Sequence, residues 1–252
     1  MIYITGDTHS QFSGRFNKKS FPEQSEMTKD DYVIICGDFG GIWNAEGESR
    51  EEKYWLDLFE EKAFTLLFLD GNHDNHVRLK AYPEKQWNGG KVHEIRPHVL
   101  HLMRGQVFEL DGATFFAFGG AQSHDIEDGI LDPGDPEFQS KKKRLKKRGA
   151  RFRIKGIDWW EEELPSQEEM DEGLTNLAEH NNTVDYILTH CASTSTQALI
   201  RQDLQADALT DYFEGIKNTV SYRRWFFGHY HYNQKISNKE CLLYKQMVMI
   251  EG

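Results

Sequence analysis

The chain has 252 residues, of which 38% are hydrophobic and 28% are charged, and this composition is ordinary for one large globular domain or two small ones. No apolar run approaches the roughly 18 residues needed to cross a bilayer, and no signal peptide is visible, so we predict no membrane partner. The net charge of −11 disfavours a broad electrostatic surface for nucleic acid.

The first third of the chain predicts a parallel sheet. Continuous apolar runs at 1–5, 31–36 and 64–69 indicate strands that are covered on both faces. Between the second and third strands, Ser49 and Glu52 form a capping-box pattern, and apolar residues at helical spacing follow it. The order of strands and helix favours parallel pairing.

The middle of the chain predicts a short helix and then an antiparallel meander. The helix covers 75–81 and ends before Pro83. Short β-like pieces follow at 92–95, 99–102, 107–110 and 114–118, separated by turn residues. Gly119 and Gly120 end this part and lead into a polar loop at 121–125.

Residues 126–165 are the least regular part, and we predict a surface excursion or lid there, here called the excursion. It contains ten basic residues and no acid between Lys141 and Lys155, which leaves 20 basic residues against 41 acidic ones elsewhere. Such a run is either a solvated surface or a site that recruits phosphate-rich ligands, including nucleic acid. The ten are Lys141, Lys142, Lys143, Arg144, Lys146, Lys147, Arg148, Arg151, Arg153 and Lys155.

The last third of the chain predicts further alternation of helices and strands. Ser166 and Glu169 form a second capping-box pattern, which opens a helix to about residue 180. Strands are predicted at 184–189 and 224–227, with a helix at 203–217 between them, and 241–250 is predicted to close a sheet. Because no repeat or linker is visible, we predict a single domain over 1–252.

The cysteine pattern bears on the compartment. The chain has three cysteines, Cys36, Cys191 and Cys241, and none forms a Cys-x-x-Cys pair. An odd count without such a pair disfavours a disulfide framework or a structural zinc site. A reducing compartment fits best, so we predict a cytoplasmic protein.

Five short clusters of metal-ligand residues each follow a predicted strand. They are Gly-Asp-Thr-His at 6–9, Gly-Asp at 37–38, Gly-Asn-His-Asp at 71–74, Thr-His at 189–190 and Gly-His-Tyr-His at 228–231. Open α/β sheets bind ligands at the carboxyl ends of their strands, and divalent metals take oxygen and nitrogen ligands of these types. The pattern therefore predicts a two-metal centre.

The order of these clusters resembles the calcineurin-like metallophosphoesterases over residues 4–231, and looks closest to their bacterial and phage group. The resemblance implies an α/β fold, a four-layer α-β-β-α sandwich of two mixed sheets flanked by helices. It also implies hydrolysis of phosphoesters at two divalent metal ions.

The same resemblance implies a ligand set for each ion. One ion would be held by Asp7, His9, Asp38 and His231, and the other by Asp38, Asn72, His190 and His229. A hydroxide between the ions would attack phosphorus. Manganese is the first choice of metal, with iron, zinc and nickel as alternatives.

Four further residues are predicted to take part in catalysis or substrate binding. His73 matches the family histidine that stabilises the transition state or protonates the leaving oxygen, and Asp74 would act beside it or orient the loop. His124 is predicted to contact the substrate phosphate, with a polar turn as the alternative. Asn44 is predicted to line the mouth of the site.

The chain also departs from the protein phosphatases of this superfamily. The arginine of their Gly-Asp-x-x-Asp-Arg-Gly motif is missing after Asp38, which disfavours a Ser/Thr protein phosphatase. We therefore predict a phosphodiesterase or phosphatase acting on a small or nucleotide-like phosphoester. The alternatives are a metal-dependent nuclease and a non-catalytic interaction module.

Overall fold

The structure, a computed structural model, describes residues 1–250. In chain order its strands are β1 Ile2–Thr5, β2 Tyr32–Ile35, β3 Thr65–Phe68, β4 Glu84–Trp87, β5 Gly90–Arg96, β6 Val99–Leu102, β7 Gln106–Leu110, β8 Ala113–Phe118, β9 Ile130–Leu131, β10 Arg153–Ile154, β11 Tyr186–Thr189, β12 Arg224–Phe227, β13 Gln234–Lys235, β14 Glu240–Leu242 and β15 Val248–Ile250. Its helices are α1 Phe12–Arg15, α2 Arg50–Glu60, α3 His76–Leu79, α4 Phe138–Lys147, α5 Gln167–Glu179, α6 Thr194–Ile200 and α7 Ala208–Thr219.

The larger sheet has seven strands in the spatial order β15-β1-β2-β3-β6-β5-β4. Its central strands β1, β2, β3 and β6 run parallel, and antiparallel strands lie at both edges. Strand β3 is buried along its whole length, as a continuous apolar run predicts for a central strand. The predicted parallel pairing of the first three strands is confirmed.

The smaller main sheet has six strands in the order β13-β14-β12-β11-β8-β7, with a parallel centre and antiparallel edges. The two sheets pack face to face around one apolar cluster. Ile4 and Leu67 enter this cluster from the larger sheet, and Phe115 and Leu188 enter it from the smaller one.

Helices cover the outer face of each sheet. Phe12 of α1 and Phe59 of α2 pack in the cluster outside the larger sheet. Leu177 of α5 and Phe213 of α7 pack in the cluster outside the smaller sheet. The fold is therefore the predicted four-layer α-β-β-α sandwich of two mixed sheets.

Both predicted capping boxes are present. Ser49 accepts a hydrogen bond from the backbone of Glu52, whose side chain accepts one from the backbone of Ser49. Ser166 and Glu169 make the same reciprocal pair at the start of α5. These bonds satisfy backbone donors that a helix start leaves without partners.

Two predictions about strands were wrong, and one strand was missed. The meander is divided, because β5 and β6 belong to the larger sheet while β7 and β8 belong to the smaller one. The segment 241–250 is divided in the same way between β14 and β15. Strand β4 was not predicted, since its Glu-Lys-Gln-Trp sequence is polar and lies at an exposed edge of the sheet.

The prediction for the helices of the last third was partly wrong. The helix predicted from residue 203 begins at Ala208, where the Asp207 side chain caps it. Helix α6 was missed, because its Thr-Ser-Thr-Gln start gives no apolar period.

The excursion has secondary structure and a small core of its own. Leu131, Phe138, Leu145 and Ile154 form a separate apolar cluster, and β9 pairs with β10. Helix α4 carries most of the basic run. The description of this segment as a lid stays a prediction. Among the described residues, no helix has the length and apolar character needed to cross a bilayer.

Candidate metal centre

The five ligand clusters meet where the carboxyl ends of the two sheets adjoin. Three follow β1, β2 and β3 of the larger sheet, and two follow β11 and β12 of the smaller one. The backbone N–H of His9 donates to the carbonyl of Asp38 at 2.9 Å, and that of Gly228 donates to the carbonyl of His190 at 2.9 Å. These bonds join loops that are far apart in the sequence.

Four candidate ligands have an uncommon backbone conformation. Their φ angles are positive, at 44° for His9, 47° for Asp38, 72° for His229 and 57° for His231. Residues other than glycine rarely adopt this region, and holding one there costs about 1–3 kcal/mol. Such strain clusters at functional sites, where the surrounding structure holds the side chain in place.

Glycines let ligands from other strands approach the backbone. A Cβ atom at Gly37 would collide with the His190 ring, and one at Gly71 would collide with the Asp38 carboxylate. Each glycine therefore serves a ligand from another loop, in addition to preceding one in its own loop.

The first group of candidate ligands has four members, and one ligand atom of each lies within 4.8 Å of those of the others. The four are Asp7, His9, Asp38 and His231. Nε2 of His231 lies 2.9 Å from Nε2 of His9 and 3.1 Å from Oδ2 of Asp7. Neighbouring ligands of an ion bound at about 2.1 Å would be about 3 Å apart. The donor types and their spacing therefore fit a divalent ion.

A second group lies on the other side of Asp38. Oδ1 of Asp38 is 3.4 Å from Nε2 of His190, whereas its Oδ2 is 3.5 Å from Nε2 of His9. Oδ1 of Asn72 is 3.3 Å from the same nitrogen of His190. The two oxygens of Asp38 thus face the two groups, as a bridging carboxylate requires.

The ring of His190 is held in one orientation. Its Nδ1 lies 2.8 Å from the backbone carbonyl of Cys36, so Nδ1 carries the proton that is donated there. Nε2 then faces Asp38 and Asn72, and its lone pair would be given to a bound metal ion. A backbone contact of this kind commonly orients a metal-ligating histidine.

His229 completes the second group only in part. Its ring centre lies 5.0 Å from that of His190, but its Nε2 is 2.7 Å from Nε2 of His124. His124 was predicted to contact substrate, and the structure places it against a candidate ligand. The backbone N–H of His229 donates to Asp7 at 2.9 Å, which ties the last loop to the first.

The electrostatics of the centre are dominated by two buried carboxylates. Burial alone would raise the pKa of Asp7, but hydrogen bonds from His231 and His9 outweigh it and the pKa is lowered. The pKa of Asp38 is also lowered well below its usual value, where burial is outweighed chiefly by His190. Burial lowers the pKa of His190, but the charge of Asp38 raises it to about 10.

No lysine or arginine among residues 1–250 forms an ion pair with either carboxylate; their charged partners are histidines. Buried charges need compensation. A divalent cation would supply that charge and would take the lone pairs of the same imidazoles.

His73 lies beside this centre without entering either group of ligand atoms. Its backbone N–H donates to Oδ1 of Asp38 at 2.8 Å. Its ring centre is 5.5 Å from that of His9 and 5.9 Å from that of Trp43. Burial is the main cause that lowers the pKa of His73.

Asp74 is fully buried and its oxygens are occupied by the backbone. It accepts hydrogen bonds from the N–H groups of Gly40 at 2.9 Å, Gly71 at 2.9 Å and Phe39 at 3.3 Å. Burial and the nearby charge of Asp38 raise its pKa to about 8. These contacts favour a role in joining the two loops over one in direct proton transfer.

Asn44 is exposed, and its side chain is used locally. Its amide donates to the carbonyl of Gly47 at 2.9 Å. It lines a cavity of about 280 Å³ together with Ser10, Trp43 and Trp55. Its place at the mouth of the metal site stays a prediction.

Trp43 and the excursion meet above the site. The rings of Trp43 and Trp160 pack edge to face with centres 5.1 Å apart, and Trp160 is only 3% exposed. Trp160 is therefore a packing residue between the excursion and Trp43.

Sequence reasoning missed two sets of residues behind the centre. Ser123 accepts a hydrogen bond from the Asn72 amide at 3.2 Å, and it donates to Glu163. Arg104 forms a buried ion pair with Asp70 at 2.6 Å. Ser123 lies in the polar loop at 121–125, but nothing in the sequence connects it to Glu163, 40 positions later.

Two curated relatives are similar to about half of the chain. The lariat debranching enzyme of Danio rerio is 26% identical over 151 residues, which are 54% of this chain and 25% of that protein. Lariat debranching enzyme A of Xenopus laevis is 25% identical over 144 residues, covering 52% of this chain and 26% of that protein. The chain thus spans about a quarter of the length of these relatives.

A crystal structure of phosphopantetheinyl hydrolase from Mycobacterium tuberculosis covers 96% of this chain and 87% of its own, with 13% sequence identity and a TM-score of 0.42. The calcineurin-like phosphoesterase profile matches residues 1–233, which include every candidate ligand. By this match the chain belongs to the calcineurin-like phosphoesterase family.

Proposed function

We propose that this protein is a binuclear-metal-dependent hydrolase, a phosphodiesterase or phosphatase that acts on a small or nucleotide-like phosphoester. Membership of the phosphoesterase family supports the reaction class. The observation that carries the proposal is the pair of buried carboxylates, Asp7 and Asp38, which face imidazole nitrogens and have no lysine or arginine partner among the described residues.

The ligand sets of the two ions follow the two groups around Asp38. One ion would be held by Asp7, His9, Asp38 and His231, and the other by Asp38, Asn72, His190 and His229. When bound, the two ions would supply an activated water and positive charge for the phosphoryl oxygens. Manganese is our first choice, and iron, zinc and nickel also suit mixed oxygen and nitrogen ligands.

The protein's own residues would orient the substrate and move a proton. His73 would donate a hydrogen bond to a phosphoryl oxygen or a proton to the leaving oxygen, which is typically worth about 10²–10⁴-fold in rate. Asp74 would hold the loops of Asp38 and Asn72 in register through its three backbone bonds. His124 and Asn44 stay proposed substrate contacts.

The direct test is hydrolysis of bis-p-nitrophenyl phosphate and p-nitrophenyl phosphate with added Mn²⁺. We expect turnover that EDTA and the Asp38→Asn substitution both remove. The ratio of diester to monoester rates would then choose between a phosphodiesterase and a phosphatase. Two bound ions without turnover on any phosphoester would instead favour the non-catalytic interaction module.

A metal-dependent nuclease is the second candidate, and the basic residues of the excursion favour it. Five of the ten basic residues pair with acidic residues inside the excursion or directly before it. Each of these five forms an ion pair: Lys141 with Asp135, Arg148 with Asp128, Arg151 with Glu127, Arg153 with Asp125 and Lys155 with Glu161.

The other five form no ion pair with a carboxylate among the described residues, and all lie on α4. They are Lys142, Lys143, Arg144, Lys146 and Lys147. The helix is held down by its buried Phe138 and Leu145, so it presents these cations to solvent. A polyanion beside the active site would find its counter-charge there.

Cleavage of single-stranded DNA and RNA at increasing salt separates the two candidates. A nuclease that uses α4 would show a steep fall of log rate with log salt, about 0.7 per phosphate contact. Changing Lys143, Lys146 and Lys147 to Gln would flatten this slope, whereas Lys18→Gln with Lys19→Gln, at exposed positions elsewhere, would not. Equal slopes for both variants would remove the role of α4, and failure to cleave either polymer would remove the nuclease candidate.

We also propose a single domain over 1–252 with a lid at 126–165, and a cytoplasmic location. Contact of Trp160 with Trp43 supports the lid, and the three free cysteines support a reducing compartment.

Two separate unfolding transitions in urea would contradict the single domain. Proteolysis of the excursion at the same rate with and without Mn²⁺ and phosphate would contradict the lid. Recovery of the protein from an extracellular fraction would contradict the location.

A further inference from the structure

The amide of Asn72 has two different ends, and only one of them can ligate a metal ion. Its Oδ1 lies 3.3 Å from Nε2 of His190, on the side of the second group, and its Nδ2 lies 3.2 Å from Oγ of Ser123. The oxygen has lone pairs, whereas the NH₂ group is a donor only. Some contact must therefore keep the oxygen on the metal side.

Ser123 provides that contact because its single hydroxyl proton is already committed. Its Oγ donates to Oε2 of Glu163 at 2.6 Å, and its backbone N–H donates to Oε1 of the same carboxylate at 2.9 Å. The serine oxygen can then only accept from its other neighbour, Asn72. The hydrogen bonds from Asn72 to Ser123 and from Ser123 to Glu163 form a series that ends at the Glu163 carboxylate. Because a carboxylate can only accept, it sets the direction of both bonds.

Glu163 is itself held firmly in place. Only 2% of it is exposed, and its backbone carbonyl accepts from the N–H of Ala121 at 3.1 Å. Arg104 donates to the carbonyl of Glu162 at 2.8 Å and to Asp70 at 2.6 Å. The end of the excursion is therefore fixed both to the loop of Ser123 and to the residue two positions before Asn72.

We propose that Glu163 is a positioning residue that acts through Ser123 to turn the oxygen of Asn72 toward the second ion. The inference rests on the proposed binuclear centre. It gives the excursion a role in building the metal site, in addition to covering it. No contact between Glu163 and the substrate is needed for this role.

The decisive variant is Glu163→Gln, because it can reverse the direction of the hydrogen bonds between Glu163, Ser123 and Asn72 and changes little else. The new amide can donate to Oγ of Ser123, which frees the hydroxyl to donate to Oδ1 of Asn72 and turns the NH₂ group toward the ion. We expect the affinity for one of two Mn²⁺ ions to fall about 10–100-fold, the usual range when such an orienting contact is lost, while the other is retained.

Calorimetric titration of the metal-free protein with Mn²⁺ measures this without any substrate. The titration is run at pH 8, because burial raises the pKa of Glu163 to about 7 and the carboxylate must be ionised. Glu162→Gln, in the same turn, is the matched control and should bind both ions as the unsubstituted protein does.

Ser123→Ala supplies a second, independent variant. It should weaken the same ion, and adding Glu163→Gln to it should cause no further loss, because the connection is already broken. An additive loss in the double variant would mean that Glu163 acts by another route and would overturn the inference. An equal loss of affinity for both ions in Glu163→Gln would also overturn the inference.

Failure of this inference is distinguishable from failure of the proposed centre. Two ions bound by the unsubstituted protein with undiminished affinity in Glu163→Gln would overturn the positioning role alone. If Glu163→Gln does not fold, unchanged affinity in Ser123→Ala would do the same. Fewer than two ions in the unsubstituted protein would overturn both.

Discussion

Two buried clusters of acids and histidines lie on either side of the loop at 71–74, and they are compensated in different ways. In the first, the Asp70 cluster, the carboxylate of Asp70 is 2% exposed and pairs with Arg104 at 2.6 Å and His101 at 3.0 Å. In the second, the metal-facing cluster of Asp7, His9, Asp38 and His231, the carboxylates face histidines only.

This comparison shows which of the two clusters needs a cation from outside the protein. Burial alone would raise the pKa of Asp70, but the charge of Arg104 outweighs it and the pKa lies well below its usual value. The Asp70 cluster is thus complete within the protein. The metal-facing cluster has two buried carboxylates that form no ion pair with a lysine or arginine among residues 1–250, so divalent ions would complete it.

The largest expected effect is that of Asp38→Asn on the metal-facing cluster. It removes the carboxylate whose two oxygens face both groups. Because bound metal ions stabilise the transition state by several kcal/mol, we expect turnover to fall by at least about 10³-fold. Metal content and the rate on bis-p-nitrophenyl phosphate measure it.

Asp30→Asn is the matched control for that variant, since Asp30 is an exposed carboxylate before the amino end of β2, whereas Asp38 follows the carboxyl end of the same strand. It should leave rate and metal content unchanged. Full activity in Asp38→Asn would show that Asp38 does not bridge the ions.

His73→Ala tests the division of labour within the centre. We expect it to retain both ions and to lose about 10²–10⁴-fold in rate, the range for general-acid work. Metal analysis beside steady-state kinetics separates the two effects. A variant that has lost metal would show that His73 is a ligand, and one with full rate would show that it takes no part in the reaction.

Arg104→Met makes the Asp70 cluster resemble the metal-facing one by leaving a buried carboxylate unpaired. The expected cost is about 3–5 kcal/mol in the free energy of unfolding. Urea unfolding at pH 7 measures it. A cost below about 1 kcal/mol, the size of an exposed pair, would contradict the assignment of Arg104 as the compensating charge.

The same variant has a defined pH dependence. The pKa of Asp70 in the folded protein lies below its unfolded value of about 3.9, so its stabilisation is fully present above about pH 4 and is lost as the pH falls through the folded pKa. The difference in the free energy of unfolding between Arg104→Met and the unsubstituted protein should therefore become smaller as the pH falls from 5 to 3. A difference that grows over this pH range would contradict the proposed link between the pKa of Asp70 and the stability of the protein.

The smallest predicted effect is outside both clusters. Ser49→Ala removes the side-chain acceptor at the start of α2, where Oγ of Ser49 accepts from Glu52 at 3.2 Å. We expect a loss of about 1 kcal/mol in unfolding free energy and no change in Mn²⁺ affinity. Thermal unfolding and metal titration test it, and a change in metal affinity would contradict it.

The metal-facing cluster was accessible from the sequence, whereas the Asp70 cluster was not. Asp7, Asp38 and His190 each follow a continuous apolar run, and parallel strands bring such ends to one edge. Their short spacing from a strand end therefore predicts proximity in space. The family resemblance added the division of the ligands between two ions.

The Asp70 cluster depends on contacts that no local pattern encodes. Arg104 lies in the turn where the chain leaves the larger sheet for the smaller one, and no local pattern of residues marks that crossing. Ser123 and Glu163 meet only because the whole excursion returns to the strand ends. Long-range packing decides these contacts, and local propensity says nothing about them.

The most direct test of the account is titration of the metal-free protein with Mn²⁺, with bound ions counted and thermal stability followed. We predict two ions per chain, and a free energy of unfolding that rises by about 2.7 kcal/mol for each ion once free Mn²⁺ reaches 100 times the dissociation constant of its site. Asp38→Asn should remove this stabilisation. A protein that binds no Mn²⁺, or whose Mn²⁺ binding is unaffected by Asp38→Asn, would contradict the claim that divalent cations compensate the metal-facing cluster.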